Sequence, residues 1–494
     1  MFLALIFHSE KVKFTRKHLS KMPFKKDHIR QLSNSDQSNG DISSLRFRSI
    51  VSITNGRRVP SYTGSPRSGN TGLDSTNGFT SAEPQPANIT SLAFEPSGRY
   101  LAYGDVFGRV TVLNTKTLAT AFDYKSHAMQ FDVLKSQQID EKINFVHFLP
   151  SISPTSTSLL VANEKVVKLW RLHGNGGSSL RKSFVNHSCA INALSVAADG
   201  QYFASSDDLK VEYWHLEHPE KSLNVVDIKP ADMEDLTEVI TSISFHPNAA
   251  NMMAMSSSKG CAYIADVREQ SHHRNKNFAM SFTAPRTEAD DDLADVLASI
   301  SDVTFDGSGN HLFTRDYMTV KCWDFRMPSA PTQSINVNES IREYLPELYD
   351  NDVIFDKFSC RASLTGSEVI TGSYGSQFAI CNVKTRTSCL VSTLAAPGPN
   401  DALDFEKKVI CVAWHPDSMC CAVAVDNVVT VLSRDPNAVT IPNRSEPPVP
   451  SFEHMRDNGN ITMPKKVTTP ESKGSMMMSG SNVMFQECQE QEEE

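Results

Sequence analysis

The chain has 494 residues, of which 39% are hydrophobic and 21% are charged, and its formal net charge is −9. This composition is typical of a globular protein with polar tails, and no apolar run is long enough to span a bilayer. Residues 1–86 carry 13 Lys+Arg against 6 Asp+Glu, so the remainder carries −9 − 7 = −16. Such an acidic body argues against direct binding to nucleic acid.

Two features of the sequence bear on the compartment. The apolar run at residues 1–8 has no basic residues before it and no cleavage site close behind it, so we do not expect a signal peptide. The ten cysteines form no C-x-x-C pair, and most lie within apolar runs. This pattern indicates reduced, buried thiols and predicts a cytoplasmic protein, with the nucleus as a second compartment.

The two ends of the chain differ from its middle. Residues 1–87 are basic and rich in Ser, Asn and Gly, so we expect a mostly disordered tail, with residues 45–54 as one candidate strand. Residues 435–494 are rich in Pro, Ser and Met and end in acidic residues, which predicts a second disordered tail. The folded domain is therefore predicted to span residues 88–434.

Within this domain a pattern of short apolar strands returns seven times. Each unit has alternation of period two, a turn containing Pro, Gly, Asn or Asp, and a strand that ends in a bulky residue. The units span residues 89–114, 143–172, 191–217, 240–268, 300–326, 353–383 and 409–434. Four strands per unit match the blades of a WD40-type β-propeller, with long insertions between blades.

The repeat pattern therefore predicts an all-β fold, a seven-bladed propeller. Trp170, Trp214 and Trp323 recur at the same strand end, where a bulky residue packs between blades, so we interpret them as structural. Closing the ring requires a strand from one terminus in the blade of the other, and residues 45–54 are the candidate.

Catalytic signatures are lacking. The sequence contains no phosphate-binding loop, nucleophile elbow, zinc-protease or kinase motif, so we expect no enzyme, no cofactor and no metal. His246 and His415 lie at blade turns, where we expect them to satisfy backbone groups. The acidic clusters at 232–235 and 288–295 have no neighbouring nucleophile and are interpreted as solvated or as faces for a basic partner.

Several insertions carry distinctive sequence that recurs in one family. They include FDVLKSQQIDEKIN (131–144), SSDDLKVEYWHLE (205–217), LNVVDIKPADMEDLTEVI (223–240), TRDYMTVKCWDF (314–325), LYDNDVIFDKF (348–358), TGSY (371–374) and ALDFEKKVICVAWHP (402–416). In these stretches the chain resembles the WD40-propeller regulatory B subunits of protein phosphatase 2A. The stretches follow one another in order over nearly the whole propeller.

The resemblance implies a non-catalytic subunit that docks on a helical-repeat scaffold and presents phosphoproteins to a separate catalytic subunit. It implies that substrates bind the propeller face formed by the connections between blades. From the acidic body and the lack of a spanning run, we expect neither nucleic acid nor a membrane as a partner. The family positions that carry over are Asp208, Leu209, Leu236, Val239, Tyr349, Asp352 and Lys357. We expect Leu236 and Val239 to be exposed apolar anchors beside Asp208, which would select a basic partner residue; their alternative role is blade packing.

The chain also departs from the family. Family members carry a long arm between the second and third blades, and residues 172–184 form only a short Gly/Ser-rich link here. Ala128 and Gln130 stand where the family has acidic residues, and Cys189 and Ala190 stand where it has a Tyr-His pair. Val106 and Pro86 replace a Lys and a Glu near the first blade, so we expect a less acidic groove on that side. These departures leave open a second hypothesis, a WD40 interaction scaffold that no longer docks on the phosphatase, such as a substrate receptor of a ubiquitin ligase. A propeller enzyme is a third class, for which the sequence offers no catalytic groups.

Overall fold

A computed structural model describes residues 47–54, 87–134, 136–150, 156–174, 176–272, 277–285, 293–393, 404–416 and 420–434. The two predicted disordered tails, apart from 47–54 and residue 87, lie outside these residues. The described chain forms seven blades, each built on a four-stranded antiparallel sheet, and one of these sheets gains a fifth strand. The predicted seven-bladed propeller is therefore confirmed.

Each blade takes its strands almost consecutively from the chain. Blades 1 and 2 contain β2 (Ile89–Phe94), β3 (Tyr100–Asp105), β4 (Arg109–Asn114) and β5 (Thr120–Lys125), then β8 (Phe145–Phe148), β9 (Ser156–Ala162), β10 (Val166–His173) and β11 (Ser178–Val185). Blades 3 and 4 contain β12 (Ala193–Val196), β13 (Tyr202–Ser206), β14 (Lys210–His215) and β15 (Ser222–Asp227), then β16 (Ile240–His246), β17 (Ala249–Ser257), β18 (Cys261–Asp266) and β20 (Met280–Thr283).

The second half of the ring repeats this arrangement. Blades 5 to 7 contain β21 (Asp302–Phe305), β22 (His311–Arg315), β23 (Thr319–Asp324) and β24 (Gln333–Asn336), then β25 (Cys360–Ala362), β26 (Glu368–Gly372), β27 (Gln377–Asn382) and β28 (Thr387–Ser392), then β29 (Val409–Trp414), β30 (Cys420–Val425) and β31 (Val428–Arg434) with β1 (Phe47–Thr54).

The connections between blades contain the remaining elements. They are the hairpin β6 (Gln130–Asp132) and β7 (Gln137–Ile139), the short strand β19 (Ser271–His272), the helices α1 (Ala294–Ala298) and α2 (Leu345–Asp350), and the 3₁₀ turns Met233–Asp235, Glu339–Tyr344 and Val353–Phe355. β19 adds a fifth, parallel strand to blade 3.

The ring is closed by pairing between distant parts of the chain. β1, which lies within the segment 45–54, pairs antiparallel with β31 and completes blade 7. This shared blade joins the two ends of the propeller through backbone hydrogen bonds, and the closed ring leaves only short, protected edges.

Side chains at the start of most inner strands tie each blade to the next. Each donates a hydrogen bond to a backbone carbonyl of the following blade. These bonds run from Thr90 to Ile143, Asn144 to Ile191, Asn192 to Ile240, Ser301 to Phe358, Ser359 to Ile410 and Cys411 to Thr90. The seams between blades are thus polar at the end where the inner strands begin, and apolar between the sheets, where the core clusters lie.

A buried polar network inside blade 3 explains one of the recurring tryptophans. Trp214 Nε1 donates to Ser205 Oγ at 2.9 Å, and this hydroxyl also contacts His187 Nε2 at 2.6 Å. The other nitrogen of His187 lies 3.0 Å from Asp207 Oδ2. Each of the four side chains in this network is buried with a hydrogen-bond partner, so the network stabilises the blade.

Blades 5 and 2 carry different versions of this network. In blade 5, Trp323 Nε1 donates to Thr314 Oγ1 at 3.0 Å. In blade 2 the equivalent position of the strand register is Val161, and the buried Nε1 of Trp170 has no hydrogen-bond partner. All three tryptophans pack in clusters that join two neighbouring blades, as predicted, but only Trp214 and Trp323 have a hydrogen-bond acceptor for the indole nitrogen.

The two turn histidines bind backbone groups, as the sequence predicts. His246 Nε2 lies 3.1 Å from the carbonyl of Gly309, and His415 Nε2 lies 3.0 Å from that of Gly98. Both glycines have positive φ, and a Cβ at either would collide with the imidazole of its histidine. The two histidines thus join neighbouring blades across the face opposite to the blade connections.

Candidate functional site

The connections between blades meet on one face of the propeller, which we call the top face. In each antiparallel four-stranded blade the outermost strand ends at the same edge where the innermost strand of the next blade begins. The turns between the second and third strands lie at this edge too. Four top-face segments contain predicted site residues or pack beside them: 207–209, 228–239, 293–301 and 337–358.

Asp208 lies in the turn between β13 and β14, at the seam of blades 3 and 4. The preceding Asp207 closes the turn, because its Oδ1 accepts the backbone amides of Leu209 and Lys210 at 2.9 and 2.8 Å. Asp208 Oδ1 accepts a hydrogen bond from Asn192 Nδ2 at 3.0 Å, and its carbonyl accepts from the amide of Ile240. Blade 3 therefore holds the carboxylate through Asn192, and blade 4 holds the backbone of the turn through Ile240.

Lys357 is the charged partner that the fold brings to Asp208. It lies just before β25, across the ring from blade 3, and is half-buried beside a small pocket that Thr241, Ser299 and Tyr317 also line. Burial raises the pKa of Asp208, and Lys357 and Asn192 oppose this shift. Burial lowers the pKa of Lys357, and Asp208 opposes that shift. Two residues distant in sequence thus lie near enough on the top face for their opposite charges to attract each other, without a direct ion pair.

A tyrosine network fixes the segment that carries Lys357. The hydroxyls of Tyr317 and Tyr374 lie 2.8 Å apart, and Tyr374 also donates to Asp356 Oδ2 at 3.1 Å. Lys408 Nζ lies 2.6 Å from Asp356 Oδ1. Lys357 follows Asp356 directly, so this network positions its backbone.

Tyr349 and Asp352 lie in the same top-face insertion as Lys357. Tyr349, in α2, is half-buried and packs against Phe355 with a ring-centroid distance of 6.3 Å. Asp352 is exposed and precedes the 3₁₀ turn with a left-handed φ of 61°. The structure therefore presents Asp352 to solvent and uses much of Tyr349 for packing.

Two of the predicted apolar site residues are core residues. Val239 is fully buried, so the expectation that it forms an exposed anchor is wrong, and its alternative role of blade packing fits the structure. Leu209 is buried in the hydrophobic cluster of blades 3 and 4. Leu236 is half-buried on the edge of this cluster, beside the 3₁₀ turn Met233–Asp235. Among the three, Leu236 is the residue with apolar surface left for a partner.

Sequence reasoning missed several contributors to this face. Asn192 binds Asp208, and Tyr374 binds Asp356 next to Lys357. Each lies in a strand-like run with no signal of its own beyond the TGSY resemblance for Tyr374. The hairpin formed by β6 and β7 was not predicted either, although its FDVL sequence exposes apolar residues in a polar surrounding. Such a run, placed between two repeats, is the signal that could have identified it.

The described residues contain no group of three or more His, Cys, Asp or Glu arranged to hold a metal ion. No described helix is long and apolar enough to cross a membrane. Nine cysteines within the described ranges are free thiols. Burial raises the pKa of Cys411 and Cys381 to about 12, which keeps these thiols protonated and poorly nucleophilic.

The fold defines a WD40-repeat propeller, in which the connections between blades meet on one face. In agreement, residues 178–215 match the family model "WD domain, G-beta repeat". The chain is 34% identical over 417 residues to the B beta isoform of the "Serine/threonine-protein phosphatase 2A 55 kDa regulatory subunit" of Carassius auratus. The match covers 69% of this chain and 92% of the relative.

The chain therefore belongs to the family of 55 kDa regulatory B subunits of serine/threonine-protein phosphatase 2A. The resemblance seen in the sequence is confirmed, as is the prediction of a regulatory subunit rather than an enzyme.

Proposed function

We propose that this chain binds phosphoprotein substrates on its top face and directs the catalytic subunit of protein phosphatase 2A to them, in a complex with the helical-repeat scaffold subunit. One observation carries the substrate-binding part: the paired Asp208 and Lys357 lie on a face whose exposed charged side chains are mainly acidic. These exposed acids are Asp232, Glu234, Asp235, Asp295, Glu339, Glu343, Glu347, Asp350, Asp352 and Glu406. Such a surface favours a basic partner segment.

The charges of Asp208 and Lys357 are better explained by partner recognition than by a contribution to folding stability. Burial disfavours the charged form of both groups, so holding them ionised on the top face costs folding free energy. A basic partner residue that approached Asp208 would compete with Lys357, and an acidic or phosphorylated group would have Lys357 as its counter-ion. Leu236 would add an apolar contact beside this pair.

The test is charge reversal on the assembled complex. Asp208→Lys should lower kcat/KM for a basic phosphopeptide about tenfold, because it replaces a fixed attraction by repulsion. The affinity for the scaffold subunit should stay unchanged. Glu220→Lys is the matched control, since Glu220 is exposed in the turn between β14 and β15 on the opposite face. Equal loss of scaffold binding and activity would show that Asp208 is structural, and unchanged kcat/KM would place the substrate elsewhere.

A second candidate function is a WD40 interaction scaffold that no longer docks on the phosphatase. The short connections favour it. The expectation that residues 172–184 link blades 2 and 3 is wrong, because they form the end of β10, a short turn and most of β11 within blade 2. The connection between blades 2 and 3 is instead residues 186–192, which are also too few for a long arm. Purified scaffold and catalytic subunits distinguish the two functions, because this second function predicts that neither binds. The compartment that we propose is the cytoplasm, with the nucleus as a second site.

A further inference from the structure

The face opposite to the blade connections, which we call the bottom face, contains a cavity at the mouth of the central channel. Its volume is about 230 Å³, and it lies where the innermost strands of blades 4 to 7 end. Its apolar lining consists of Phe245, Pro247, Phe305, Leu364, Trp414 and Pro416. Leu364 is 63% exposed, so part of this apolar surface faces solvent. A concave apolar site with a few polar groups is a candidate binding site.

The indole of Trp414 leaves a hydrogen-bond donor unused at this cavity. Trp414 is half-buried, and no acceptor among the described residues binds its Nε1. The charged and imidazole groups nearby already have partners. The carboxylate of Asp306 accepts from the hydroxyl of Ser308 at 2.6 Å and from the backbone amide of His311 at 3.2 Å, and His415 is bound to a backbone carbonyl. A ligand that offers a carbonyl oxygen beside apolar surface would therefore satisfy the indole.

Aromatic rings beside a free indole N–H suit an extended, proline-rich segment. Such a segment adopts the polyproline II conformation, which has no internal hydrogen bonds, so its carbonyls can accept from a donor on the surface that it touches. Segments with a P-x-x-P pattern dock in aromatic-lined grooves, and their preformed conformation loses little entropy on binding. Phe245, Phe305 and Trp414 supply the aromatic lining here. The cavity therefore favours a P-x-x-P ligand.

The chain itself carries such a segment beyond its last strand. Residues 447–450, outside the described residues, read PPVP. The last strand, β31, runs in the same direction as the innermost strand of its blade, so it ends on the bottom face. Leu432 of β31 is in register with Cys421, which is in register with Trp414. Since neighbouring strands lie about 4.8 Å apart, Leu432 is about 10 Å from Trp414.

The link between β31 and this segment is long enough to reach the cavity. It consists of the twelve residues 435–446. A coil of this length has an end-to-end distance of roughly 20 Å, which exceeds the separation between the end of β31 and the cavity. A short link also gives the segment an effective concentration in the millimolar range at the cavity. Even a weak intrinsic affinity is then sufficient for occupancy.

We infer that residues 447–450 of this chain occupy the bottom-face cavity. Their prolines pack against Leu364 and the aromatic rings, and one of their carbonyls accepts a hydrogen bond from Trp414 Nε1. The segment thus covers the mouth of the central channel on the bottom face. The inference does not depend on the proposed function, because Asp208 and Lys357 lie on the opposite face.

The experiment titrates a synthetic peptide with the sequence of residues 441–454 into the full-length chain and measures its Kd by fluorescence anisotropy. In the tail variant, Pro447→Ser/Pro448→Ser/Pro450→Ser, the attached segment no longer competes for the cavity. The peptide should therefore bind the tail variant about tenfold more tightly than the wild-type chain. Pro464→Ser/Pro470→Ser is the matched control, since it removes two isolated prolines of the same tail and should leave the wild-type Kd unchanged.

Two substitutions in the cavity, each added to the tail variant, test the contacts. Leu364→Glu should weaken peptide binding about tenfold, because it places a charge on the apolar surface. Trp414→Phe keeps an aromatic ring but removes the N–H, and should weaken binding about fivefold, as expected for one hydrogen bond. Leu390→Glu is the control, because it places the same charge on a partly exposed leucine of the outermost strand of blade 6. Unchanged circular dichroism and melting temperature show that each variant folds.

Three results would overturn the inference. A peptide that does not bind the tail variant, or binds it equally well after Leu364→Glu, would show that the cavity is not a site for this segment. Equal Kd values for the wild-type chain and the tail variant would leave the cavity to a proline-rich segment of another protein. A wild-type dimer in light scattering that the tail variant lacks would mean that the segment occupies the cavity of a second copy.

Discussion

Replacing Thr314 by valine removes the hydroxyl that accepts the indole proton of Trp323 at 3.0 Å. Both side chains are buried, so Trp323 Nε1 would be left without a partner. An unsatisfied buried donor costs about 1–3 kcal/mol, and valine has nearly the same volume as threonine, so little packing energy offsets this loss. We therefore expect Thr314→Val to lower the free energy of unfolding by about 1–3 kcal/mol.

The reciprocal substitution in blade 2 is the matched variant. Val161 occupies the position equivalent to Thr314, and the buried Nε1 of Trp170 has no partner there. Val161→Thr supplies the acceptor in a site of the same size. We expect it to raise the free energy of unfolding by about 0.5–1 kcal/mol, the net value of one intramolecular hydrogen bond.

Urea denaturation of the full-length variants measures both changes, and calorimetry tests whether the transition is two-state, as this treatment requires. Opposite signs for the two substitutions would support the argument from the indole donors. The reasoning would be refuted if Thr314→Val were as stable as the wild-type chain, or if Val161→Thr destabilised the propeller as much as Thr314→Val.

Three further predictions concern the top face. Val239→Ala should destabilise the fold by about 2–3 kcal/mol, because it opens a cavity at a fully buried position. Leu236→Ala should cost only about 1 kcal/mol of stability but should weaken binding of the phosphopeptide. Urea denaturation measures the first effect of each variant and peptide titration measures the second. Tyr374→Phe should leave the propeller folded but increase amide hydrogen exchange in residues 339–357, and unchanged exchange would contradict the positioning role of its hydroxyl. The folded-state pKa of Lys357 is lowered, so its charge costs stability below that pKa, and the cost disappears as pH rises through the unfolded pKa. The double variant Asp208→Asn/Lys357→Met removes both buried charges and should thus stabilise the fold at pH 7, with the part due to the lysine shrinking at high pH. A loss of stability at pH 7 would refute this sign.

The repeat pattern was sufficient to predict the blades because each unit carries its own alternation of period two, and the seven units follow one another without ambiguity. The strand pairing of β1 with β31 joins parts of the chain that no local pattern connects. The pairing of β1 with the last blade was predicted only because a propeller must close its ring.

The candidate site was less predictable, for physical reasons. Val239 directly precedes an inner strand, and local sequence does not distinguish a buried residue at a blade seam from an exposed anchor in the same connection. The pairing of Asp208 with Lys357 depends on how the ring brings blade 3 opposite the connection before blade 6. Such proximity is set by closure of the whole propeller.

The hairpin β6–β7 could not be predicted from the sequence for a different reason. Its strands have three residues each, too short for a periodicity to be recognised, and its apolar residues resemble part of a buried strand. Only the structure shows that these side chains are exposed.

The most direct test of the account is reconstitution of the complex from purified parts. The full-length chain is mixed with the scaffold and catalytic subunits of protein phosphatase 2A at micromolar concentration and separated by size-exclusion chromatography with light scattering. The account predicts one species with the mass of a 1:1:1 complex, which dephosphorylates a basic phosphopeptide with higher kcat/KM than the scaffold–catalytic pair alone. A chain that elutes by itself, with unchanged activity of that pair, would contradict it.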